Sequence, residues 1–269
     1  MASGGVIKAP LRTVVFGAGN VASHLVPALE ESGAIEVSAV WSRTEEHASE
    51  LASRLRSALP VCSIDAVPDG AELYLVSVAD DMVRRIAAEY NGGHDAVWLH
   101  TSGSVPASAL ERLTEHYGVL YPLQTFSRGT ELDLKCVPFF IEGSDESTLS
   151  TARYLAEKVS TRVYEADSDL RARMHVAAVF GCNFTNFMWT VADGLLRRND
   201  GLDITVIEPL LKETLRKCMA IGPGNAQTGP AMRGDRNVID KHISMLDPEL
   251  ADMYKYLTEK IISYYDERN

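Results

Sequence analysis

Short apolar runs alternate with amphipathic stretches through the first part of the chain, and that alternation ends near Glu165. Leu11–Phe16 reads as a buried strand, Gly17–Gly19 turns it into a helix running to about Glu31, and Gly33 stops that helix. Pro27 lies inside the helix and removes one backbone hydrogen bond, so a kink is expected there. Ile35–Trp41 reads as a second strand, followed by a polar helix from Glu45 to about Leu59. Leu73–Val78 and Val97–His100 are further buried strands, each followed by helical sequence, and Gly118–Tyr121 and Val137–Ile141 read as two more. Strand alternating with helix implies a parallel sheet covered on both faces.

Beyond Glu165 the period changes. Asp169–Arg198 reads as one helix of about 45 Å, at 1.5 Å per residue. Ala177, Val179, Phe180, Phe184, Phe187, Met188, Trp189 and Val191 occupy nearly every side of it, and a helix apolar all round must be buried all round. A helical region of about a hundred residues cannot enclose so long a helix alone, so a second copy of the chain is the expected cover. Helices from about Ile204 to Ile221 and from about Pro248 to Tyr265 follow, separated by the glycine- and proline-rich segment Gly222–Asp235. The expected fold is α/β: a doubly wound parallel sheet over residues 1–165, then an all-α dimerising domain over residues 166–269.

Composition narrows the partners. The 269 residues are 46% hydrophobic and 23% charged, without low-complexity tracts, as a packed globular protein requires. A formal net charge of −11 argues against nucleic acid and anionic membrane surfaces, whose phosphates need clustered Lys and Arg. Cys62, Cys136, Cys182 and Cys218 are far apart, with neither Cys-x-x-Cys nor zinc spacing, so reduced cysteines, no metal and a cytoplasmic setting are expected. Met174–Leu196 is apolar, but His175, Asn183, Asn186 and Asp193 within it are costly in lipid, which favours a buried helix over a membrane span.

Val14-Val-Phe-Gly-Ala-Gly-Asn-Val-Ala22 ends a strand and opens a helix with Gly-x-Gly-x-x-Ala spacing. Gly17 permits the tight turn, Gly19 lets backbone approach a pyrophosphate, and Ala22 is small enough for the helix to pack on the sheet. Asn20 and Val21 open the helix, whose free N–H groups and positive dipole end suit phosphate. The second strand ends Val40-Trp-Ser-Arg-Thr44, with Ser42 where an NAD site places an acidic residue. Arg43 suits a 2′-phosphate and Thr44 adds a hydrogen-bond donor, so NADP is preferred to NAD; otherwise Arg43 is a solvated surface cation. Val78, Ala79, Thr101, Ser102 and Gly103 follow buried strands at their carboxyl ends and are candidates to line the nicotinamide ribose. For Asp80 the preferred role is N-cap of the next helix.

These residues carry a resemblance. The first half resembles the NADP-binding domain of pyrroline-carboxylate reductases and deazaflavin-dependent NADP oxidoreductases. The whole chain is similar to uncharacterised Rossmann-like reductases whose helical C-terminal domain is related to that of 6-phosphogluconate dehydrogenase. The motifs are Gly17-Ala-Gly-Asn-Val21, Tyr121-Pro-Leu-Gln-Thr-Phe-Ser127, His175-Val-Ala-Ala-Val-Phe-Gly-Cys-Asn-Phe184 and Thr228-Gly-Pro-Ala-Met-Arg-Gly-Asp235. The resemblance implies an NADP-dependent dimer without an established substrate. Relatives of this architecture use a Lys and an Asn one turn apart on the long helix; here His175 stands near the Lys position, Val179 follows four residues later, and the first Asn is Asn183.

Reduction of a carbonyl or imine by NADPH needs a proton donor beside the hydride acceptor. On a regular helix His175 and Asn186 differ by about 20°, with Asn183 within about 80° of both. His175 is the candidate proton donor and Asn183 the candidate for orienting the substrate oxygen; otherwise His175 caps a hydrogen bond to the Rossmann domain and both Asn residues tie helices together. Gln124, Asn186 and Arg233 are candidate substrate contacts, Arg233 as a clamp on a carboxylate or phosphate or else as half of an Arg–Asp pair holding its loop. His242 reads as structural. The expected activity is NADP-dependent hydride transfer to a small carbonyl or imine metabolite; the alternative is an NADP-binding sensor without turnover.

Overall fold

Along each central strand, successive side chains enter opposite layers, and this alternation organises the computed structural model, which describes residues 10–198 and 201–267. Eight strands form one sheet: β1 (Leu11–Phe16), β2 (Ile35–Trp41), β3 (Leu59–Val61), β4 (Leu73–Val76), β5 (Val97–His100), β6 (Tyr117–Pro122), β7 (Phe139–Gly143) and β8 (Val163–Glu165). Their order is β3-β2-β1-β4-β5-β6-β7-β8. The helices, in chain order, are α1 (Asn20–Glu31), α2 (Glu45–Ala52), α3 (Asp80–Glu89), α4 (Glu146–Val159), α5 (Ser168–Ala178), α6 (Thr185–Arg198), α7 (Glu208–Ile221), α8 (Pro223–Ala226), α9 (Pro230–Arg233), α10 (Arg236–Ser244) and α11 (Pro248–Asp266).

Val15, Leu73, Leu75 and Leu99 pack on one face with Leu25 and Leu29 of α1 and Leu155 of α4. Val14, Phe16, Tyr74, Val76 and Trp98 pack on the other with Val83 and Ile86 of α3. Tyr74 and Trp98 stack there at a centroid distance of 4.3 Å. Both faces are therefore covered, as the doubly wound reading requires.

Three expectations change. The helix expected from Glu45 to about Leu59 ends at Ala52; Leu59 precedes Pro60, which disfavours α geometry there, and Leu59–Val61 pairs with β2 as an edge strand. The sheet is not wholly parallel: β7 runs antiparallel to β6, and β8 is parallel to β7. Only a 3-10 turn at Leu134–Cys136 interrupts the return from β6 to β7, and Leu123 N–H donates to Pro138 O at 2.8 Å. An antiparallel neighbour needs no crossover helix. The long helix is not uniform: a π-helical turn, Val179–Phe184, joins α5 to α6. One residue absorbed by that wide turn takes His175 and Asn186 from about 20° apart to about 80°. α4, β8 and α10 were not legible in the sequence pattern.

The chain divides into two compact units, one up to Asn186 and one from Phe187. The sheet itself ends with β8 at Glu165. In the second unit Asp203, Asp235 and Asp247 each accept a backbone N–H at a helix start. His242 Nδ1 lies 2.9 Å from Tyr254 Oη, beside an apolar hollow of about 460 Å³. Large apolar side chains remain exposed in both units: Val176, Phe180 and Phe184 in the first, Phe187, Leu210, Leu215 and Met219 in the second. Among the described residues no helix is long and apolar enough to cross a membrane.

Candidate functional site

The carboxyl ends of β1, β2, β4, β5 and β6 converge on one cavity of about 450 Å³. Such convergence is where open α/β sheets bind ligands. Gly17 leaves β1 with φ +107°, and a Cβ there would lie 2.1 Å from Ser77 O, so the turn passes directly over the end of β4. Gly19 precedes α1 and differs in kind: a Cβ there would meet nothing within 4 Å. The first bare amides of α1 thus border open space, the cradle a diphosphate needs.

The loop after β6 is fastened to this turn. Asn20 Nδ2 donates to Phe126 O at 3.0 Å, and Arg128 binds both Ala18 O and Glu50. The Asn20 side chain is therefore committed to the loop, leaving its backbone to face the cavity. At the end of β2, Ser42 is buried while Arg43 and Thr44 are exposed. His47 borders the cavity one helical turn beyond Arg43. The indole nitrogen of Trp41, also at this end, is buried with no hydrogen-bond partner among the described residues. An unsatisfied buried N–H beside a cavity fits an acceptor on a ligand.

Asp80 opens α3, but Ala79 is its N-cap and no side-chain cap forms. The expected capping role is corrected: Asp80 instead accepts hydrogen bonds from Ser102 Oγ, at 2.7 Å, and from Ser104 Oγ. That carboxylate ties the loops leaving β4 and β5. His100 beneath them is fully buried; Ser102 N–H donates to its Nδ1 at 3.2 Å, and its Nε2 faces Pro106 O at 3.3 Å. Burial, reinforced by the Arg171 charge, drives His100 down to about 3, so it is a neutral structural bridge.

At the other end of the cavity His175, from α5, meets Tyr121, from β6: Tyr121 Oη lies 3.0 Å from His175 Nδ1. Burial pushes the Tyr121 phenol up to about 12, keeping it protonated. Arg171, one turn before His175, anchors α5 through Glu142, Val105 O and Ser168 Oγ.

Of the residues singled out by sequence, Gly17, Gly19, Asn20, Val21, Ser42, Arg43, Val78, Ala79, Thr101, Ser102, Gly103, Gln124 and His175 border this cavity. Thr44 lies just outside it, its N–H donating to Ser42 Oγ at 3.3 Å. Asn183, on the exposed face of the π-helical turn, and Asn186 are not among the bordering residues. Arg233 is exposed in the second unit, where Asp235 caps α10. The sequence reading missed Trp41, His47 and Arg128 and gave Tyr121 no chemical role. His47 was signalled by its spacing from Arg43 and Tyr121 by its motif; nothing local marked Arg128. A larger open hollow, about 1120 Å³, lies between α1, residues 128–135 and the end of α4; it is off the carboxyl edge of the sheet and lacks the glycine turn.

Residues 12–97 match the family described as NADP oxidoreductase, coenzyme F420-dependent, and residues 137–261 match a domain of unknown function, DUF2520. A Bacteroides fragilis protein provisionally described as an NADP oxidoreductase is 40% identical, with TM-score 0.86 over 94% of this chain and 98% of that one. An imine reductase from Streptomyces aurantiacus shares the fold, at 17% identity and TM-score 0.67 over 95% of each chain. The curated Xenopus tropicalis protein called glucose-fructose oxidoreductase domain-containing protein 2 is 29% identical over 112 residues, which is 40% of this chain but only 29% of that protein's length. With near-complete coverage at 40% identity added to the glycine turn and its sheet, the chain belongs to the Rossmann-like NADP oxidoreductase family.

Proposed function

We propose that the protein transfers hydride between NADP(H) and a small carbonyl or imine metabolite. The observation that carries this reading is one cavity bordered at one end by Arg43 and the glycine turn and at the other by Tyr121 and His175. Arg43 holds the 2′-phosphate, assisted by His47 and Thr44. The amides of Gly19, Asn20 and Val21 hold the diphosphate. Val78, Ala79, Thr101, Ser102 and Gly103 border the nicotinamide ribose. Bound NADPH supplies the hydride. His175 is the source of the proton that accompanies it, Gln124 contacts the substrate, and Asn183 is the further candidate for holding its oxygen. The exposed apolar residues of both units support assembly as a homodimer.

The test is titration with NADPH and NADH by protein fluorescence, then NADPH oxidation with 2-oxo acids, aldehydes and cyclic imines. Tighter NADPH binding and turnover of at least one class are expected; no nicotinamide nucleotide binding would overturn the reading. A second reading, binding without turnover, is favoured by Val179 standing where relatives of this architecture have a polar partner one turn along. Silence of the whole panel beside tight NADPH binding supports that second reading.

A further inference from the structure

Three elements that are distant in sequence meet at the substrate end of the cavity. Tyr121 comes from β6, His175 from α5, and Gly103 from the loop after β5. A Cβ on Gly103 would lie 2.7 Å from His175 Nδ1 and 2.8 Å from Tyr121 Oη. The two polar atoms therefore rest together against bare backbone. Any side chain at this position would part them or press on both. Tyr121 is 8% exposed and is among the residues bordering the cavity.

We propose that Tyr121 is a second catalytic residue of this site: its phenol delivers the proton to the substrate oxygen or nitrogen while His175 Nδ1–H refills it. The proposal rests on the reductase reading above. The hydride brings an electron pair to the substrate carbon, and the π pair of C=O or C=N moves to the heteroatom. That atom bonds the phenol hydrogen as the Tyr121 O–H bond breaks. The proton on Nδ1 of protonated His175 crosses 3.0 Å to the phenol oxygen, leaving tyrosine and neutral imidazole. Nothing is left over.

The environment explains why two groups are needed. Burial is the main cause that holds the phenol protonated, opposed by the Arg171 charge and reinforced by Asp80. A phenol so placed releases its proton only when another arrives at the same oxygen. Nδ1 is within reach to send it, and Arg171, Asp80 and His175 are the charged or titratable groups bearing on Tyr121 from α5 and α3.

Two probes separate chemistry from packing. An aldehyde or ketone must gain a proton on reduction; a cyclic N-methyliminium ion accepts hydride without one. In Tyr121→Phe, kcat for the carbonyl probe falls about 100-fold or more, the usual weight of a general acid, with KM and NADPH Kd within about twofold. Reduction of the iminium probe changes far less. Gly103→Ala, with both polar groups retained, slows the carbonyl probe far more than the iminium probe. Independently of turnover, ring ¹⁵N resonances of His175 shift in Tyr121→Phe without cofactor present.

Equal slowing of both probes, carbonyl reduction within about threefold of wild type, or unshifted His175 resonances would each overturn the Tyr121 assignment alone. A wild-type protein that binds NADPH and reduces neither probe overturns the reductase reading and this proposal with it.

Discussion

Arg171 and Glu142 form an ion pair in which the arginine side chain is 1% exposed and the glutamate 23%. Arg171 also donates to Val105 O at 2.6 Å, while Ser168 Oγ donates to Glu142, so one buried charge joins α5, β7 and the loop after β5. Removing one partner of such a pair strands the other. Glu142→Gln is expected to lower stability by about 3 kcal/mol in urea unfolding, whereas replacing both partners with apolar residues costs much less. A single-variant loss below about 1 kcal/mol would show that water reaches the guanidinium.

The two glycines of the turn have opposite predicted phenotypes. Gly17→Ala meets Ser77 O at 2.1 Å with φ +107°, and at least about 2 kcal/mol of stability should be lost. Gly19 has φ −82° and open space for a Cβ, so Gly19→Ala should fold normally and weaken NADPH binding alone. Thermal unfolding and fluorescence titration of both variants check this; normal NADPH affinity in Gly19→Ala would move the diphosphate elsewhere.

Arg43→Ala should weaken NADPH binding about 10- to 100-fold, as loss of a charged hydrogen bond does, and leave NADH nearly unchanged. His47→Ala should act in the same direction with smaller effect. Parallel losses for both nucleotides would place Arg43 outside the 2′-phosphate site.

His100 gives stability a defined pH dependence. Its folded value, about 3, lies below the ordinary 6.5, so the unfolded chain binds the proton first. The stabilisation is complete above about pH 6.5 and is lost as pH falls from there toward 3, at up to about 1.4 kcal/mol per pH unit. Urea unfolding across that window should show a shallower slope in His100→Gln than in wild type, whatever the variant's stability at neutral pH.

Sedimentation should give twice the 29.5 kDa mass of one chain. Phe180→Asp and Met219→Asp, both at exposed apolar positions, should shift the protein toward monomer. A wild-type monomer at micromolar concentration would overturn the dimer.

The glycine-turn end of the cavity was legible because its elements are local: a strand, two glycines, a helix start and an arginine within about thirty residues, the length of one βαβ unit. The alternation of β1, β4 and β5 likewise exposed the sheet. What escaped depends on distant partners. Tyr121 and His175 meet only because β6 and α5 are folded together, and Asp80 abandons its cap because two serines lie across the sheet edge. The direction of β7 escaped because residues 123–138 carry no helical period to mark or exclude a crossover. The π-helical turn escaped because a search at 3.6 residues per turn assumes that it is absent.

That wide turn also marks where the chain tolerates a change of length. One residue deleted between Val179 and Phe184 lets the segment relax to ordinary α spacing and returns every later side chain to its original bearing about the axis. The same deletion within α5 or α6 would swing all that follows by about 100°. Length variation among homologues of this long helix should therefore collect at this single turn.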